Sequence, residues 1–113
     1  RTYYKHRKID GDLTQGENIA DWGALPITLD AYQQVDPHLS TASLKQFFIC
    51  YAKSRRFHYR MKYLDYLLQE DPHAPHPIRV NMVLASLPAF KELFSITKNS
   101  PMYINQKDLP KIW

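Results

Sequence analysis

Two carboxylates four residues apart, Glu17 and Asp21 in the hexapeptide GENIAD (residues 16–21), are the side chains of this sequence best spaced for shared chemistry. On a helix, positions i and i+4 lie on the same face, so both carboxylates can point into one pocket. One carboxylate can then bind a metal ion while the other orients a neighbouring ligand. The spacing alone is weak, because two acids so placed usually mark a solvated helix face near a helix N-terminus.

A second group of reactive side chains lies in and just after the proline-rich run DPHAPHP (residues 71–77). Prolines fix the backbone in extended or turn conformations, so this run is expected to form an irregular loop around His73. Taken alone, His73 is typical of a surface loop, and Arg79 of a helix start or of a structural ion pair with Asp71. A metal pair of His73 and His76 is disfavoured, because the proline between them rules out a shared helical face.

The chain segments around these residues are predicted to be helices, so the predicted fold class is all-α. The first helix is expected from Thr14 or Gln15 to Gln34, after an irregular entry with a turn at residues 10–12. Gly23 and Pro26 are expected to interrupt it, with a kink near Trp22.

Four more helical segments follow in the pattern of apolar residues. Ser40 or Thr41 can cap a second helix, which ends in a break around residues 54–56. The remaining helices are predicted over residues 57–69, from near Arg79, and from Pro88. The tail from residue 99 to 113 is expected to be loop-like, and no hairpin is predicted. The expected apolar face of the second helix consists of Leu44, Phe47, Phe48 and Tyr51, and that of the third of Phe57, Met61, Leu64 and Leu68.

The composition fits one domain, with 44% apolar residues among 113 and a formal charge of +4. Much of the basic excess lies in residues 53–62, where arginines and lysines alternate with aromatic side chains. This pattern admits a nucleic-acid-binding module, but a helix with its charged side facing water is favoured. Cys50 is the only cysteine and is expected to be a buried apolar residue.

The ends and the cysteine content suggest the context of the chain. The sequence starts at Arg1 in mid-pattern, which indicates a piece of a longer protein. No apolar run is long enough to span a membrane. A single cysteine cannot form an intrachain disulfide, which favours a cytoplasmic, bacterial protein.

Several separated motifs together resemble the C-terminal part of the neprilysin family of zinc metalloendopeptidases. These motifs are GENIAD at residues 16–21, DPHAP at residues 71–75, Arg-Val-Asn at residues 79–81 and the terminal Ile112-Trp113. The resemblance runs from about Gly11 to Trp113 and is closest to the disulfide-free bacterial oligopeptidases. It implies that this chain is the C-terminal helical part of a thermolysin-like (gluzincin) metallopeptidase domain.

The resemblance also implies a role for each reactive side chain. Glu17 would be the third zinc ligand, and Asp21 would accept the ring N–H of a histidine ligand. His73 would stabilise the tetrahedral intermediate, held by Asp71, and Arg79 would bind the substrate's backbone carbonyl. One departure affects this region, since Met82 stands where the family has a glycine.

The other half of the family's active site is absent from this sequence. The family's His-Glu-x-x-His helix supplies two zinc ligands and the general base, and none of the five histidines here begins that motif. The expected parent is a Zn²⁺-dependent endopeptidase acting on short peptides, with one zinc ion per catalytic domain. This chain alone is expected to be inactive and to bind zinc weakly, with peptide substrates and the upstream part of its own protein as partners, and no nucleic acid or membrane. The alternatives are a non-catalytic peptide-binding homologue and, less favoured, the nucleic-acid-binding module.

Overall fold

A computed structural model describes residues 3–109 and shows a short hairpin followed by helices. This agrees with the predicted all-α fold class. The elements are β1 (Tyr3–Tyr4), β2 (Arg7–Lys8), α1 (Gly11–Val35), α2 (Thr41–Ser54), α3 (Met61–Glu70), α4 (His76–Ser86), α5 (Pro88–Leu93) and a 3₁₀ helix (Gln106–Asp108).

The hairpin is an element that the sequence analysis missed. Strands β1 and β2 pair antiparallel, with Tyr4 opposite Arg7. The turn residues Lys5 and His6 both adopt positive φ, 48° and 62°, as a two-residue hairpin turn requires. Neither is a glycine or asparagine, so the usual sequence signal for such a turn is absent.

Helix α1 begins earlier than predicted because Asp10 caps it. The Asp10 carboxylate accepts hydrogen bonds from the backbone N–H groups of Asp12 and Leu13, at 2.9 and 3.1 Å. These bonds satisfy two of the free donors of the first turn. The helix therefore starts at Gly11 instead of Thr14 or Gln15.

The same helix continues through the two residues expected to interrupt it, so the expected interruption was wrong, whereas the kink near Trp22 stays a prediction. Pro26 lies inside α1, which runs unbroken to Val35. A proline removes one backbone donor, but Leu25 and Leu29 beside it are buried in the core. Their burial offsets the lost hydrogen bond and holds both halves of the helix in place.

The core lies between α1, α2, α4 and α5. Phe48 is its most central aromatic residue, 1% exposed, with its ring edge-on to Phe90 at a centroid distance of 5.6 Å. In the same core, Leu25 and Leu29 of α1 are buried together with Val80 of α4, and the contact between these two helices builds the candidate site described below. The buried core residues are Leu25, Leu29, Phe48, Val80, Val83, Leu84, Leu87 and Phe90.

Two sequence-based predictions concern α2, its N-terminal cap and the burial of its cysteine. The Ser40 cap is confirmed, since its hydroxyl accepts the backbone N–H of Ser43 at 3.1 Å. Cys50, however, is exposed and accepts a contact from the Gln46 amide at 3.3 Å. Two residues after Phe48, it lies across the helix from the core, so the expectation of a buried cysteine was wrong.

Helix α3 is shorter than predicted. It starts at Met61 and not at residue 57. Leu64 is fully buried, whereas Phe57 and Met61 are 54% and 42% exposed, so only part of the predicted apolar stripe faces the core. An ion pair between Arg7 and Asp65 ties α3 to the hairpin.

The last helices start at prolines. Helix α4 begins at His76 with Pro77 in its first turn, three residues earlier than predicted, and α5 begins at Pro88 as expected. Up to residue 109 the tail is loop-like apart from the 3₁₀ turn, and Ile112-Trp113 lie outside the described residues. Between residues 3 and 109, no helix combines the length and the apolar character needed to cross a bilayer.

Candidate active site

Asp21 of α1 and Arg79 of α4 form a buried ion pair, called the buried pair below. Arg79 Nε donates to Asp21 Oδ2 at 2.6 Å and Nη2 donates to Oδ1 at 2.8 Å. The side chains are only 8% and 10% exposed. Two parallel bonds to one carboxylate fix the guanidinium plane, so α1 sets the orientation of Arg79.

The pairing changes the electrostatics of Arg79 and leaves Asp21 some capacity. The hydrogen bond to Asp21 raises the pKa of Arg79 above its ordinary value, against the lowering effect of burial. A carboxylate has about four acceptor positions, so Asp21 can accept a further hydrogen bond beyond those from Arg79. The sequence-based alternative that pairs Arg79 with Asp71 is wrong, because Asp21 takes that place.

Glu17, Asp71 and His73 form a second, solvent-facing group, called the open triad below. The Asp71 Oδ1 atom lies 2.7 Å from His73 Nδ1 and also accepts the backbone N–H of His73 at 2.8 Å. On the other side of the ring, His73 Nε2 lies 3.1 Å from Glu17 Oε2. The imidazole is thus held between a carboxylate of its own loop and one from α1.

The carboxylate of Asp71 is adapted to this position. Burial alone would raise the pKa of Asp71, but the two hydrogen bonds from His73 and the charges of His73 and Arg79 outweigh it. The pKa therefore lies below its ordinary value. Asp71 stays ionised at neutral pH and keeps its hold on the ring.

The open triad is accessible, in contrast with the buried pair. The side chains of Glu17 and His73 are 40% and 42% exposed. Helix α1 presents Glu17 one turn before Asp21, so the two acids share a face as the i, i+4 spacing predicts. That prediction of a shared face is confirmed, and His73 and Arg79 from later motifs contact these two acids.

An open pocket of about 260 Å³ lies beside the buried pair. Asp21 and Arg79 form its polar end, and most of its remaining wall is apolar. Met82 is part of this wall, and its carbonyl lies 3.5 Å from the indole Nε1 of Trp22. A methionine in place of the family's glycine thus contributes to the pocket's surface. The apolar wall includes Ile9, Trp22, Ala74, Ile78, Met82 and Val83.

Arg55 is a site residue that sequence reasoning missed. It was assigned to a charged surface facing water, yet its Nη2 atom lies 3.6 Å from Asp21 Oδ1. Its guanidinium also lies over the ring of Tyr51, 5.8 Å from the centroid. Burial, followed by the charge of Asp21, raises the pKa of the Tyr51 phenol. No local signal distinguishes Arg55 from Arg56, so only the fold reveals its place.

His76 is close to the open triad but serves the structure of the loop. Its ring stacks on Phe57 at 5.0 Å, and its backbone N–H donates to Tyr59 Oη at 3.0 Å. Burial and the charge of Arg79 lower the pKa of His76. Within residues 3–109, no three histidine, cysteine or acidic side chains are grouped to hold a metal ion. Glu17 can therefore supply one ligand of a metal site, but not the whole set.

Comparison with known proteins identifies relatives of this chain. The model of peptidase family M13 matches residues 1–109. Neprilysin-1 of Caenorhabditis elegans is 36% identical over 106 residues, which cover 84% of this chain and 14% of that protein. A neutral endopeptidase of Lactococcus lactis subsp. lactis is 33% identical over 104 residues, covering 92% of this chain and 16% of its own length. Membrane metallo-endopeptidase-like 1 of Mus musculus is 33% identical over 107 residues, 87% of this chain and 14% of that protein.

These relatives are much longer than the present sequence, which spans about one sixth or less of each. No solved structure gives a significant match to this chain.

Proposed function

Because the chain belongs to peptidase family M13, the neprilysin family, we propose that it forms the C-terminal part of a zinc-dependent endopeptidase for short peptides. Relatives named endopeptidases support a peptidase as the parent, meaning the longer protein of which this chain would be part. The observation that carries the proposal is the convergence of three motifs, in which Asp21 of α1 pairs with Arg79, and Glu17, one helical turn earlier, contacts His73.

Glu17 is the residue proposed to hold the metal. Its carboxylate is half-exposed and faces away from the core, and carboxylate oxygen is an accepted zinc ligand. Zinc, when bound, polarises the scissile carbonyl and lowers the pKa of its water. The other ligands and the general base must come from the His-Glu-x-x-His helix, so this chain alone is proposed to be inactive and to bind zinc only weakly.

His73 is proposed to stabilise the oxyanion of the tetrahedral intermediate. A donor contributes to this only if it is already aimed at the position where charge develops. The hydrogen bond that the His73 ring makes to Asp71 and the proline-flanked loop provide that aim, and the exposure of the ring leaves Nε2 within reach of a substrate. In the parent, Nε2 would exchange its contact with Glu17 for the substrate oxygen.

The buried pair is proposed to position both substrate and metal site. Arg79, fixed by Asp21, would donate to a backbone carbonyl of the peptide on its leaving-group side. Asp21 would use its remaining acceptor capacity for the ring N–H of a histidine ligand. The pocket beside them, with its apolar wall, suits an uncharged side chain of the peptide.

Peptide cleavage by the parent tests this proposal, with a chelator and with two acid variants. We expect the chelator and Glu17→Ala each to abolish cleavage, and added zinc to restore only the chelated wild type. Asp30→Ala is the matched control, because Asp30 is an exposed acid on the same helix and should leave cleavage unchanged.

Two results would contradict the proposal. Undiminished cleavage by Glu17→Ala removes Glu17 from the metal site. A wild-type parent that binds peptides but cleaves none is the non-catalytic homologue. The cytoplasmic location is likewise a proposal, which fractionation of cells expressing the tagged parent would test.

A further inference from the structure

We propose that Arg55 binds a carboxylate of the peptide substrate next to the backbone group held by Arg79, so that the enzyme favours acidic peptides. This inference rests on the proposed function and assigns a specificity-determining residue to the same site.

Arg55 lies beside the buried pair. Arg55 follows the last residue of α2 and caps that helix with its backbone N–H. Its Nη2 atom is 3.6 Å from Asp21 Oδ1, within ion-pair range but longer than a hydrogen bond. Both oxygens of Asp21 already accept shorter bonds from Arg79, so Arg55 is only loosely held by this carboxylate.

Arg55 has no carboxylate of its own. Among residues 3–109, Asp21 is the only carboxylate within ion-pair distance of Arg55, and Arg79 binds it more closely. The charges of Glu17 and Asp71 also act on Arg79, but both of these carboxylates pair with His73. A peptide carboxylate could therefore supply the partner that Arg55 lacks.

The Arg55 guanidinium is both accessible to solvent and held in orientation. The Arg55 side chain is 33% exposed, compared with 10% for Arg79, so a ligand from solvent can reach it. The contact of its guanidinium with the Tyr51 ring limits its motion. A guanidinium held in this way can present two N–H donors to a carboxylate.

Two groups of a peptide have this chemistry, the side chain of Asp or Glu and the free C-terminal carboxylate. Four fluorogenic peptides separate them, alike except for Glu or Gln on the leaving-group side and a free or amidated C-terminus. The kcat/KM of the parent is measured for each at low and high salt. The variants are Arg55→Gln and its matched control Arg56→Gln, which removes the neighbouring, exposed arginine.

We expect the wild type to prefer one carboxylate-bearing peptide over its neutral partner by about five-fold, near the upper end for a partly exposed ion pair. Arg55→Gln should remove that preference, mainly by raising KM for the carboxylate-bearing peptide, so that the two peptides are cleaved with nearly equal kcat/KM. Arg56→Gln should keep the preference, and high salt should weaken it. Whichever carboxylate gives the preference identifies the source.

Three outcomes would overturn the inference. They are a wild type that cleaves all four peptides equally well, an Arg55→Gln enzyme that loses acidic and neutral peptides in equal proportion, and an Arg56→Gln enzyme that loses the preference as well. The first needs no variant and so stands even if Arg55→Gln fails to fold. A wild type that cleaves none of the peptides overturns the proposed function, and the inference with it.

Discussion

The buried pair and the open triad each include one carboxylate of α1, Asp21 and Glu17, one helical turn apart, yet the two groups differ in their exposure to solvent. Asp21 and Arg79 are 8% and 10% exposed and satisfy each other with two short hydrogen bonds. Glu17 and His73 are 40% and 42% exposed and meet through one contact of 3.1 Å. The first arrangement is largely shielded from solvent, and the second is open to it. One helix face thus carries both a buried and an accessible carboxylate.

Among the changes considered for these two groups, Asp21→Asn should have the largest consequence, a loss of folding stability. The variant leaves the Arg79 guanidinium buried without its anionic partner, and breaking a buried pair in this way costs about 3–5 kcal/mol. Urea denaturation of the parent's catalytic domain should show this loss in the free energy of unfolding. Glu17→Gln, the neighbouring control, should change it by less than about 0.5 kcal/mol, because Glu17 is half-exposed. Equal effects of the two variants would show that burial does not separate the two acids.

The next effect is on catalysis, from His73→Ala. Loss of one aimed oxyanion donor lowers kcat by about 10²-fold, and the exposed ring contributes little to stability. The effect should appear in kcat with KM nearly unchanged, as expected for an interaction made mainly in the transition state. His58→Ala, which removes an exposed histidine from the segment before α3, is the control. A loss confined to KM would instead assign His73 to substrate binding.

Sequence patterns predicted the local part of this comparison and missed the long-range part. The shared face of Glu17 and Asp21 follows from helix periodicity, and the rigid loop at His73 follows from its prolines. The partner of Arg79 does not follow, because Asp21 lies 58 residues away and only the packing of α1 on α4 selects it over Asp71.

The errors elsewhere have the same origin. Local rules placed the interruption of α1 at Pro26, but burial of the flanking leucines keeps the helix continuous. Apolar character favoured burial of Cys50 and Phe57, although Cys50 lies across α2 from the core and Phe57, stacked on His76, is 54% exposed. Arg55 was assigned to solvent by its composition, while the end of α2 directs it to Asp21. Tertiary contacts therefore decide the features that sequence periodicity alone leaves open.

The smallest change expected is in the pH dependence of stability, which should distinguish His76 from Asp71 of the open triad. Burial and the charge of Arg79, together with those of Arg55 and His73, lower the pKa of His76 below 6.5 in the folded protein. The stability it contributes as a neutral ring is fully present above its unfolded value and is lost as pH falls through the folded one, because the unfolded chain then binds a proton first. The lowered pKa of Asp71 acts in a more acidic range, so the interval from pH 7.5 to 5 reports on His76.

Melting temperatures across this interval test the assignment. We expect the wild type to lose more stability between pH 7.5 and 5 than His76→Phe, which keeps a ring beside Phe57 but cannot be protonated. His38→Phe, at an exposed position of the loop after α1, should keep the wild-type pH dependence. If the His76 variant keeps it too, the acid sensitivity arises elsewhere. If it disappears, acid weakens the stacked loop behind His73 before it titrates the carboxylate that holds that ring, and loss of activity at mildly acidic pH then begins in the support of the open triad.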